Sequence, residues 1–276
     1  MTQQGGRRDV ITPRDEAIMG DLLSCEALTI EQVWEPHFKT RTRAKQRLYD
    51  LRKRAYLDNR VVTLEDGTTL NFFFLAKKGH EHVARYLDVE RPYAGPPSIA
   101  SSRAEHLRDT NEIYVKIREE LDAQLGTPGG RSRSWEWLSE KRAHVSMLYG
   151  NERRVHQPDA RIAFYGTHLV IERQSRRARA TVAEIYRKVE AHRLALSRPE
   201  APDPSGTELL LACDEERDAQ TATRAAKQYG VVVVAGSPEA IVTHIVGRAM
   251  EVAAHLAEQD RRLVEAGPEA LPNPAS

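Results

Sequence analysis

The first ninety residues carry apolar stripes at helical spacing, interrupted by one pair of apolar strands. ITPRDEAIMGDLLSC predicts a helix capped by Thr12, and TIEQVWEPHF predicts a short second helix capped by Thr29. In TRTRAKQRLYDLRKRAYL the apolar positions 44, 48, 51 and 55 share one face, which predicts a third helix. RVVTL and TLNFFFL flank Asp66-Gly67, a strong hairpin signal, and KKGHEHVARYL predicts a closing helix. This order is typical of a winged helix-turn-helix.

The pattern further along the chain alternates between helices and strands. AEHLRDTNEIYVKIREELDAQL predicts a helix, SWEWLSE favours a strand, and QPDARIAFYGTHLVIERQ predicts two strands around a glycine turn. ATVAEIYRKVEAHRLAL, DAQTATRAAKQYG and the long segment after Ser237 predict helices. ELLLACD and VVVVAG are apolar throughout, as expected of buried strands that are covered on both faces. We therefore expect a mixed α/β sheet.

Composition suggests where these two units meet. RPYAGPPSIASSR, residues 91–103, is rich in Pro, Gly and Ser and is typical of a linker. We expect a winged-helix domain at 1–90, a linker at 91–103, a second domain at 104–265 and a disordered tail at 266–276. Cys25 and Cys213 both stand in apolar contexts, which predicts reduced core residues.

Neither a membrane span nor a secretory signal is visible in the sequence. No apolar run approaches the ~20 residues of a span, and the start MTQQGGRRDV has no apolar core. The formal net charge of +1 on 276 residues indicates nothing about partners, so charge has to be considered locally. We expect a cytoplasmic protein with no membrane association.

Basic residues concentrate on and around the third predicted helix. Nine Lys or Arg stand between Lys39 and Arg60, against the two acids Asp50 and Asp58. A helix fits the major groove and its cations neutralise phosphates, so this helix is expected to bind double-stranded DNA. A solvated basic face would show the same pattern. The candidate DNA contacts here are Arg41, Arg43, Lys45, Arg47, Arg52 and Lys53.

The predicted hairpin in QPDARIAFYGTHLVIERQ gathers acids at its open end. If Gly166-Thr167 forms a two-residue loop of type II′, opposite positions sum to 333. Asp159 then faces Gln174 and Arg161 faces Glu172, with all four on one face. Carboxylate and amide oxygens in this arrangement could bind a divalent cation such as Mg²⁺. An ordinary ion pair between Glu172 and Arg161 is the alternative.

The segment after the hairpin is basic again, with eight Lys or Arg between positions 173 and 198 against two acids. Phosphate contacts and a solvated helix face explain this run equally well. Lys188 could reach from its helix toward the acids as a displaced catalytic lysine. His106 and Asn111 could line the same site, although packing or capping roles suit their helix better. The candidate phosphate contacts in the run are Arg176 and Arg177.

Pro158-Asp159 followed by Glu172-Arg173-Gln174 resembles the PD-(D/E)xK motif of restriction-endonuclease-like nucleases. Gln174 stands where that superfamily usually has lysine, a departure also found in some active members. The resemblance implies that Asp159 and Glu172 hold Mg²⁺ or Mn²⁺ and that the reaction is phosphodiester hydrolysis.

From about Ile11 to Val234 the chain is also similar to the replication-relaxation proteins, relatives of the MobC-type relaxases of mobilisable plasmids. The similarity is carried, in order, by ITPRDEAIM, the basic third helix, LAKKGHEHV, EHLRDTNEIYVKI, W-x-x-E, QPDA, and IERQ followed by Tyr186 and Lys188. It implies a winged helix joined to a restriction-endonuclease-like domain that acts on plasmid or mobile-element DNA. By this match Glu140 joins Asp159 and Glu172 in an acidic cluster.

Two functions therefore fit the sequence. In the first, an α+β winged helix-turn-helix followed by a mixed α/β restriction-endonuclease-like domain nicks or cleaves DNA, with Asp159, Glu172, Gln174 and Glu140 as catalytic residues. In the second, a DNA-binding regulator uses an inactive nuclease-like domain for protein contacts, and Gln174 and Arg161 favour this alternative. A nuclease in defence against foreign DNA is a third hypothesis. A homodimer or relaxosome-type partners are the expected assemblies.

Overall fold

The structure, a computed structural model, describes residues 10–125, 135–143, 145–149, 152–174, 181–196 and 207–266. The tail expected at 266–276 lies outside this part of the chain, apart from Ala266. Within the described ranges the chain forms nine helices: α1 (Pro13–Cys25), α2 (Ile30–His37), α3 (Arg41–Lys53), α4 (Lys77–Leu87), α5 (Ser101–Leu125), α6 (Glu140–Ala143), α7 (Val182–Leu196), α8 (Glu216–Tyr229) and α9 (Pro238–Ala266).

The strands of the described ranges form three sheets. They are β1 (Leu28–Thr29), β2 (Leu57–Thr63), β3 (Thr69–Leu75), β4 (Trp135–Ser139), β5 (Val145–Tyr149), β6 (Glu152–His156), β7 (Ala160–Phe164), β8 (Thr167–Gln174), β9 (Thr207–Cys213) and β10 (Val233–Gly236). The sheet orders are β1-β3-β2, β10-β9-β8-β7-β4 and β5-β6. The fold is therefore mixed α+β, in agreement with the class that the sequence predicts.

Local sequence explains the first three helices. Thr12 and Thr29 each cap their helix in a reciprocal box, with Asp15 and Gln32 bonding back to the cap. Helix α3 buries Ala44, Leu48 and Leu51, as its periodicity predicts. Ala55, expected on the same stripe, is instead exposed beyond the end of α3, in the left-handed region at φ 59°. The chain turns there into β2, so the helical spacing no longer applies.

Two helix pairs cover the five-stranded sheet. Strands β4, β7 and β8 are antiparallel neighbours, whereas β8, β9 and β10 run parallel. One face of β8 and β9 packs in the same apolar core as α5 and α9, and the other face packs against α7 and α8. Strand β10 was expected to be buried but forms the edge of the sheet, where all four residues are partly exposed and the preceding Val232 is 64% exposed. An apolar run alone does not distinguish an edge strand from a central one.

One continuous core links the N-terminal elements to the larger sheet. The same cluster of buried side chains contains Leu22 of α1, Leu48 of α3, Ile113 of α5 and Ile171 of β8. Within the segment expected to be a linker, Ile99 is buried against β3 residues and α5 already begins at Ser101. The domain boundaries thus stay a prediction, and the two parts are packed together across them.

The small sheet β5-β6 was not predicted from the sequence. Its strands pair antiparallel from Val145↔His156 to Tyr149↔Glu152. Gly150-Asn151 separates the two runs in the sequence, and a glycine-first pair between two short runs is a recognised hairpin signal. The polar composition of ERRVH hides the second strand from an argument based on apolar alternation.

Candidate active site

The hairpin β7-β8 brings Asp159 and Glu172 together, but by a different turn from the one expected. The loop residues are Tyr165 and Gly166, with φ values of 47° and 83°, rather than Gly166 and Thr167. Two consecutive positive φ values are the requirement of a type I′ turn, whose twist matches that of the flanking strands. The register pairs Phe164 with Thr167, so opposite positions sum to 331. Continued by one residue beyond Ala160↔Ile171, it sets Asp159 against Glu172, not Gln174.

The acids nevertheless lie on one face of the hairpin, as expected. The observed register places each residue of β7 opposite a β8 residue two positions earlier than predicted, and residues two apart on a strand point to the same face. Glu172 lies on the same face of β8 as Val170, which packs against α7 and α8. Arg161 pairs with Val170 in the ladder rather than with Glu172. The side chain of Glu172 therefore meets a helix instead of a cross-strand arginine.

Lys188 on α7 joins the two carboxylates. Its Nζ lies 2.5 Å from Glu172 Oε2 and 3.8 Å from Asp159 Oδ2. The neighbouring helix positions Ile185 and Val189 are buried, and they fix the rotation of α7 that aims Lys188 at the strands. The structure therefore brings an aspartate, a glutamate and a lysine from three elements to one point, with the lysine on a helix.

Two further groups hold Asp159. His106 Nε2 lies 2.7 Å from Oδ1, and the backbone N–H of Arg173 donates to Oδ2 at 2.6 Å. His106 thus lines the site, whereas the side-chain amide of Asn111 donates to the carbonyls of Cys25 and Ala27 in a packing role. Both residues lie on α5, and sequence reasoning left their roles open. Only the fold shows which of them faces the acids.

The charges of this cluster shift one another strongly. Burial, and then repulsion from Asp159, raise the pKa of Glu172 to about 7. Burial acts the same way on Asp159, but the hydrogen bond from His106 and the charge of Lys188 outweigh it and lower its pKa. Burial would lower the pKa of Lys188, yet the two carboxylates outweigh it and raise that pKa. Lysine and aspartate are therefore both charged at neutral pH.

Glu140, expected in the acidic cluster, lies near the site in a pair of its own. Arg103 NH2 lies 2.6 Å from Glu140 Oε2, and the side-chain amide of Gln157 donates to Oε1 at 3.4 Å. Its charge also helps to raise the pKa of His106, the hydrogen-bond partner of Asp159. Glu140 is thus close enough to influence the cluster electrostatically, while its carboxylate is engaged by an arginine.

Gln174 ends β8 on the same face as Glu172. It pairs with Cys213 in the parallel ladder and is 5% exposed. Its side-chain nitrogen has no hydrogen-bond partner among the residues described. Position 174 is therefore buried beside the cluster, and the cation that contacts the two carboxylates is Lys188.

The donor set fits one hard divalent cation in part. Mg²⁺ is commonly bound by one or two carboxylates, with waters and substrate oxygens completing its shell. Asp159 and Glu172 supply two carboxylates, and their mutual repulsion is the kind that a cation relieves. No group of three or more His, Cys, Asp or Glu suited to a metal occurs in the described ranges. The site therefore offers a two-carboxylate pair rather than a complete protein cage.

The candidate DNA contacts on α3 separate into two groups. Arg43 and Lys45 are exposed on the helix surface. Arg47 instead donates through Nε to the buried Asp15 at 2.7 Å, and a second contact joins the same two groups. The remaining candidates on α3, Arg41, Arg52 and Lys53, are also exposed. Arg41 forms an ion pair with Glu31 at 2.7 Å and Arg52 one with Asp58 at 3.5 Å, while Lys53 is the last residue of the helix.

Arg176 and Arg177, the candidate phosphate contacts after β8, lie outside the described residues. No helix in the described stretches is both long and apolar enough to cross a membrane.

Comparison with known proteins yields little. No protein-family model matches the chain, and no curated protein matches it. The crystal structure of protein VC1899 from Vibrio cholerae is similar over 86% of this chain and 53% of that chain, at 13% identity and a TM-score of 0.31. The chain thus spans about half the length of that protein, and a likeness at this level supports no inference about function.

Proposed function

We propose that the chain is a DNA-processing protein that nicks or cleaves DNA by metal-dependent phosphodiester hydrolysis. The observation that supports this most directly is the position of Lys188, whose Nζ lies 2.5 Å from Glu172 and 3.8 Å from Asp159. An aspartate, a glutamate and a lysine at one point are the residue types of the PD-(D/E)xK motif, with the lysine on a helix. The departure at Gln174 is thereby compensated.

Each residue of the cluster has a role in this proposal. Asp159 and Glu172 would hold Mg²⁺ or Mn²⁺, which when bound activates water and stabilises negative charge on a phosphodiester. Lys188 keeps its proton because two carboxylates face it, so its Nζ can donate to a phosphate oxygen. His106 orients Asp159 through a 2.7 Å hydrogen bond. Glu140 assists from the edge of the cluster.

The N-terminal elements would hold double-stranded DNA. Helix, short strand, helix, helix, hairpin and helix follow one another as in a winged helix-turn-helix, and α3 presents Arg43 and Lys45 on its exposed surface. The proposed biological setting is plasmid or mobile-element replication and mobilisation in the cytoplasm. A homodimer or relaxosome-type partners would complete the assembly.

A catalytically inactive DNA-binding regulator is the second candidate, and one observation favours it. Asp159 is held by His106 and a backbone N–H, and Glu172 by Lys188, so each carboxylate already has a partner within the chain. In that case the charged cluster stabilises the fold, and the nuclease-like part serves protein contacts.

Incubation of supercoiled plasmid with the protein and Mg²⁺ or Mn²⁺ separates these two candidates. The wild-type chain should nick the plasmid. Asp159→Ala and Lys188→Met should each lower the rate by about 100-fold or more, since the first removes a metal ligand and the second a donor to the phosphate. Lys116→Met is the matched control, because Lys116 of α5 also pairs with a glutamate, Glu239 of α9 at 3.1 Å, but outside the acidic cluster. Its nicking should be unchanged.

Equal traces of nicking in the wild type and in Asp159→Ala, with gel shifts on duplex DNA retained, would support the regulator instead. If the wild-type chain neither nicks the plasmid nor shifts duplex DNA in a gel, both candidate functions are wrong.

A further inference from the structure

A second cleft lies apart from the acidic cluster, where the N-terminal elements meet β4 and α6. It has a volume of about 430 Å³ and is lined by α1, the segment 90–97 and α6. Leu22, Leu75 and Pro97 form part of its apolar wall. Pockets of this size with an apolar lining and a few convergent polar groups are the usual form of small-molecule sites.

Two arginines converge on one carboxylate beside this cleft. Arg91 NH2 and Arg142 NH2 lie 2.6 and 2.9 Å from the same oxygen, Oε1 of Glu136. Arg91 reaches it from the segment after α4, and Arg142 reaches it from α6. Both arginines line the cleft, whereas Glu136 stands on β4 with a side chain that is 52% exposed. A half-exposed carboxylate thus occupies the focus of two largely covered guanidinium groups.

The environment of these cations favours an additional anion. Burial, and then the charge of Arg91, lower the pKa of Arg142 to about 10. The carboxylate of Glu26 also lines the cleft and acts on Arg142, but it is paired with Lys141 at 2.9 Å. Glu90 also lines the cleft, but it is exposed. A phosphate or carboxylate oxygen can accept from both guanidinium groups as Glu136 does, because such forks match its geometry.

Another part of the cleft wall suits an apolar or aromatic group. Tyr93 and His80 both line the cleft, with their rings edge-to-face at 5.5 Å between centroids. Burial lowers the pKa of His80, with a further contribution from Arg91, so this ring is neutral at pH 7. The wall therefore offers contact surface rather than charge to a ligand.

We infer that this cleft binds a small organic anion, in which one phosphate or carboxylate replaces Glu136 between Arg91 and Arg142 and an apolar or aromatic body fills the cavity. A mononucleotide and a medium-chain fatty acid both have this chemistry. The inference is independent of catalysis at Asp159 and Glu172, since no residue is shared between the two places.

Isothermal titration calorimetry of the full chain with adenosine 5′-monophosphate and with octanoate tests the site and distinguishes its two sources. At least one probe should bind with a Kd below about 1 mM. Arg142→Gln should weaken that probe about tenfold or more, since it removes one charged donor. Glu136→Gln should tighten it, because the competing carboxylate is gone. Arg248→Gln is the control. Arg248, on α9 and away from the cleft, is similarly covered and pairs with Glu208 of β9 at 3.0 Å.

Opposite effects of the two cleft variants are the signature of an anion site. A purely structural pair would be weakened from either side, with no gain of binding in Glu136→Gln. The inference is overturned if neither probe binds the wild type or Glu136→Gln below about 1 mM, or if Arg142→Gln and Arg248→Gln bind alike. Glu136→Gln keeps the test decisive if Arg142→Gln does not fold.

Discussion

Glu172 combines two requirements that oppose each other. It is 2% exposed, which disfavours a charge, yet it is the partner of a charged lysine at 2.5 Å. Asp159 lies 3.8 Å from the same ammonium group and repels the negative charge of Glu172. The pair of carboxylates therefore shares one close cation, and the more buried of the two titrates near neutrality.

The pKa of Glu172 predicts how stability varies with pH. Its folded pKa, about 7, lies above the ordinary value of 4.5, so the folded state binds the proton more tightly between these values. Stability should consequently fall as pH rises through this window. His106, whose folded pKa is also raised, adds to the fall once pH passes its ordinary value. Urea unfolding from about pH 5 to about pH 8 should show the decline, and Glu172→Gln should remove about 1–3 kcal/mol of it.

The slope with pH is the relevant readout, because Glu172→Gln also alters the contact with Lys188. Glu31→Gln, at an exposed glutamate of α2, should leave the pH dependence of the wild type unchanged. Parallel curves for Glu172→Gln and the wild type would show that Glu172 does not titrate in this window.

The grouping of Asp159 and Glu172 could be predicted from the sequence. The contact of Lys188 with them could be suggested but not established. Side-chain parity along the hairpin puts Asp159 and Glu172 on one face in either register, so the error in the turn did no harm to that grouping. The turn itself was missed because Tyr165 adopts a positive φ, which a tyrosine rarely does. The contact of Lys188 depends on how α7 packs on the sheet, and no local pattern contains that information.

At the scale of the element, α3 shows why a run of basic residues cannot be interpreted as one surface. Leu48 and Leu51 face the core, and Arg47, the residue before Leu48, reaches Asp15 of α1. Asp15 is fully buried and also bonds the backbone of Thr12 at 2.8 Å. Arg47 thus ties two helices together, whereas Arg43 and Lys45 face outward.

These positions predict different phenotypes within one helix. Arg43→Ala with Lys45→Ala should weaken duplex DNA binding and reduce the salt slope by about 2, with stability changed by less than about 0.5 kcal/mol. Arg47→Ala should instead lower the free energy of unfolding by about 1–3 kcal/mol, since Asp15 stays buried without its charged partner. Fluorescence anisotropy at several salt concentrations and urea unfolding measure the two effects. Unchanged DNA affinity in the double variant would remove α3 as a DNA-binding helix.

Helix α4 has a strict requirement at Gly79. A Cβ there would lie 2.0 Å from the carbonyl oxygen of Tyr56, which already accepts from the backbone of Ala76 at 3.0 Å. Gly79→Ala should therefore destabilise the protein by about 1–3 kcal/mol or more, because backbone has to move. Gly247→Ala, in α9, is the matched control: nothing lies within 4 Å of its Cβ, and it should stabilise by about 0.5–1 kcal/mol. Thermal unfolding of the two variants should shift in opposite directions, and equal midpoints would contradict the close approach.

The elements themselves were predictable where caps and periodicity are strong. Helices α1 and α2 follow from Thr12 and Thr29, whose side chains accept from the N–H groups of Asp15 and Gln32. The place of a strand in a sheet is a different matter, as β10 shows. Val233 pairs with Leu209 on one side only, and nothing in VVVVAG indicates which side stays open.

At the scale of the whole molecule, a buried polar network holds the N-terminal helices to α5. Asp21 of α1, 1% exposed, accepts from Tyr114 Oη at 2.6 Å and contacts Arg118 NH1 at 2.8 Å. His37, at the end of α2, lies 2.6 Å from the same carboxylate. Together with the shared apolar core, these contacts couple the two parts that the composition had suggested were separate.

The chain should therefore unfold in one cooperative step. Far-UV circular dichroism and tryptophan fluorescence should give coincident urea transitions, since Trp34 reports on α2 and Trp137 on the large sheet. Asp21→Asn should lower the stability of the whole molecule by about 3–5 kcal/mol, because it leaves Arg118 buried without its full charge partner. Asp58→Asn, at an exposed surface pair, should cost less than about 1 kcal/mol. Two separated transitions would indicate independent domains.

Helix α6 has one more consequence, which follows from its length. Four residues provide barely a single turn, and such a turn has no stability of its own. Its position is set from outside, by Arg103 pulling on Glu140 at one end and by Glu136 and Glu26 holding Arg142 and Lys141 at the other. A ligand or substitution that shifts α6 by acting on the ion pairs at one end therefore changes the free energy of the ion pairs at the other end. Thermodynamic reciprocity requires this coupling free energy to be the same in both directions.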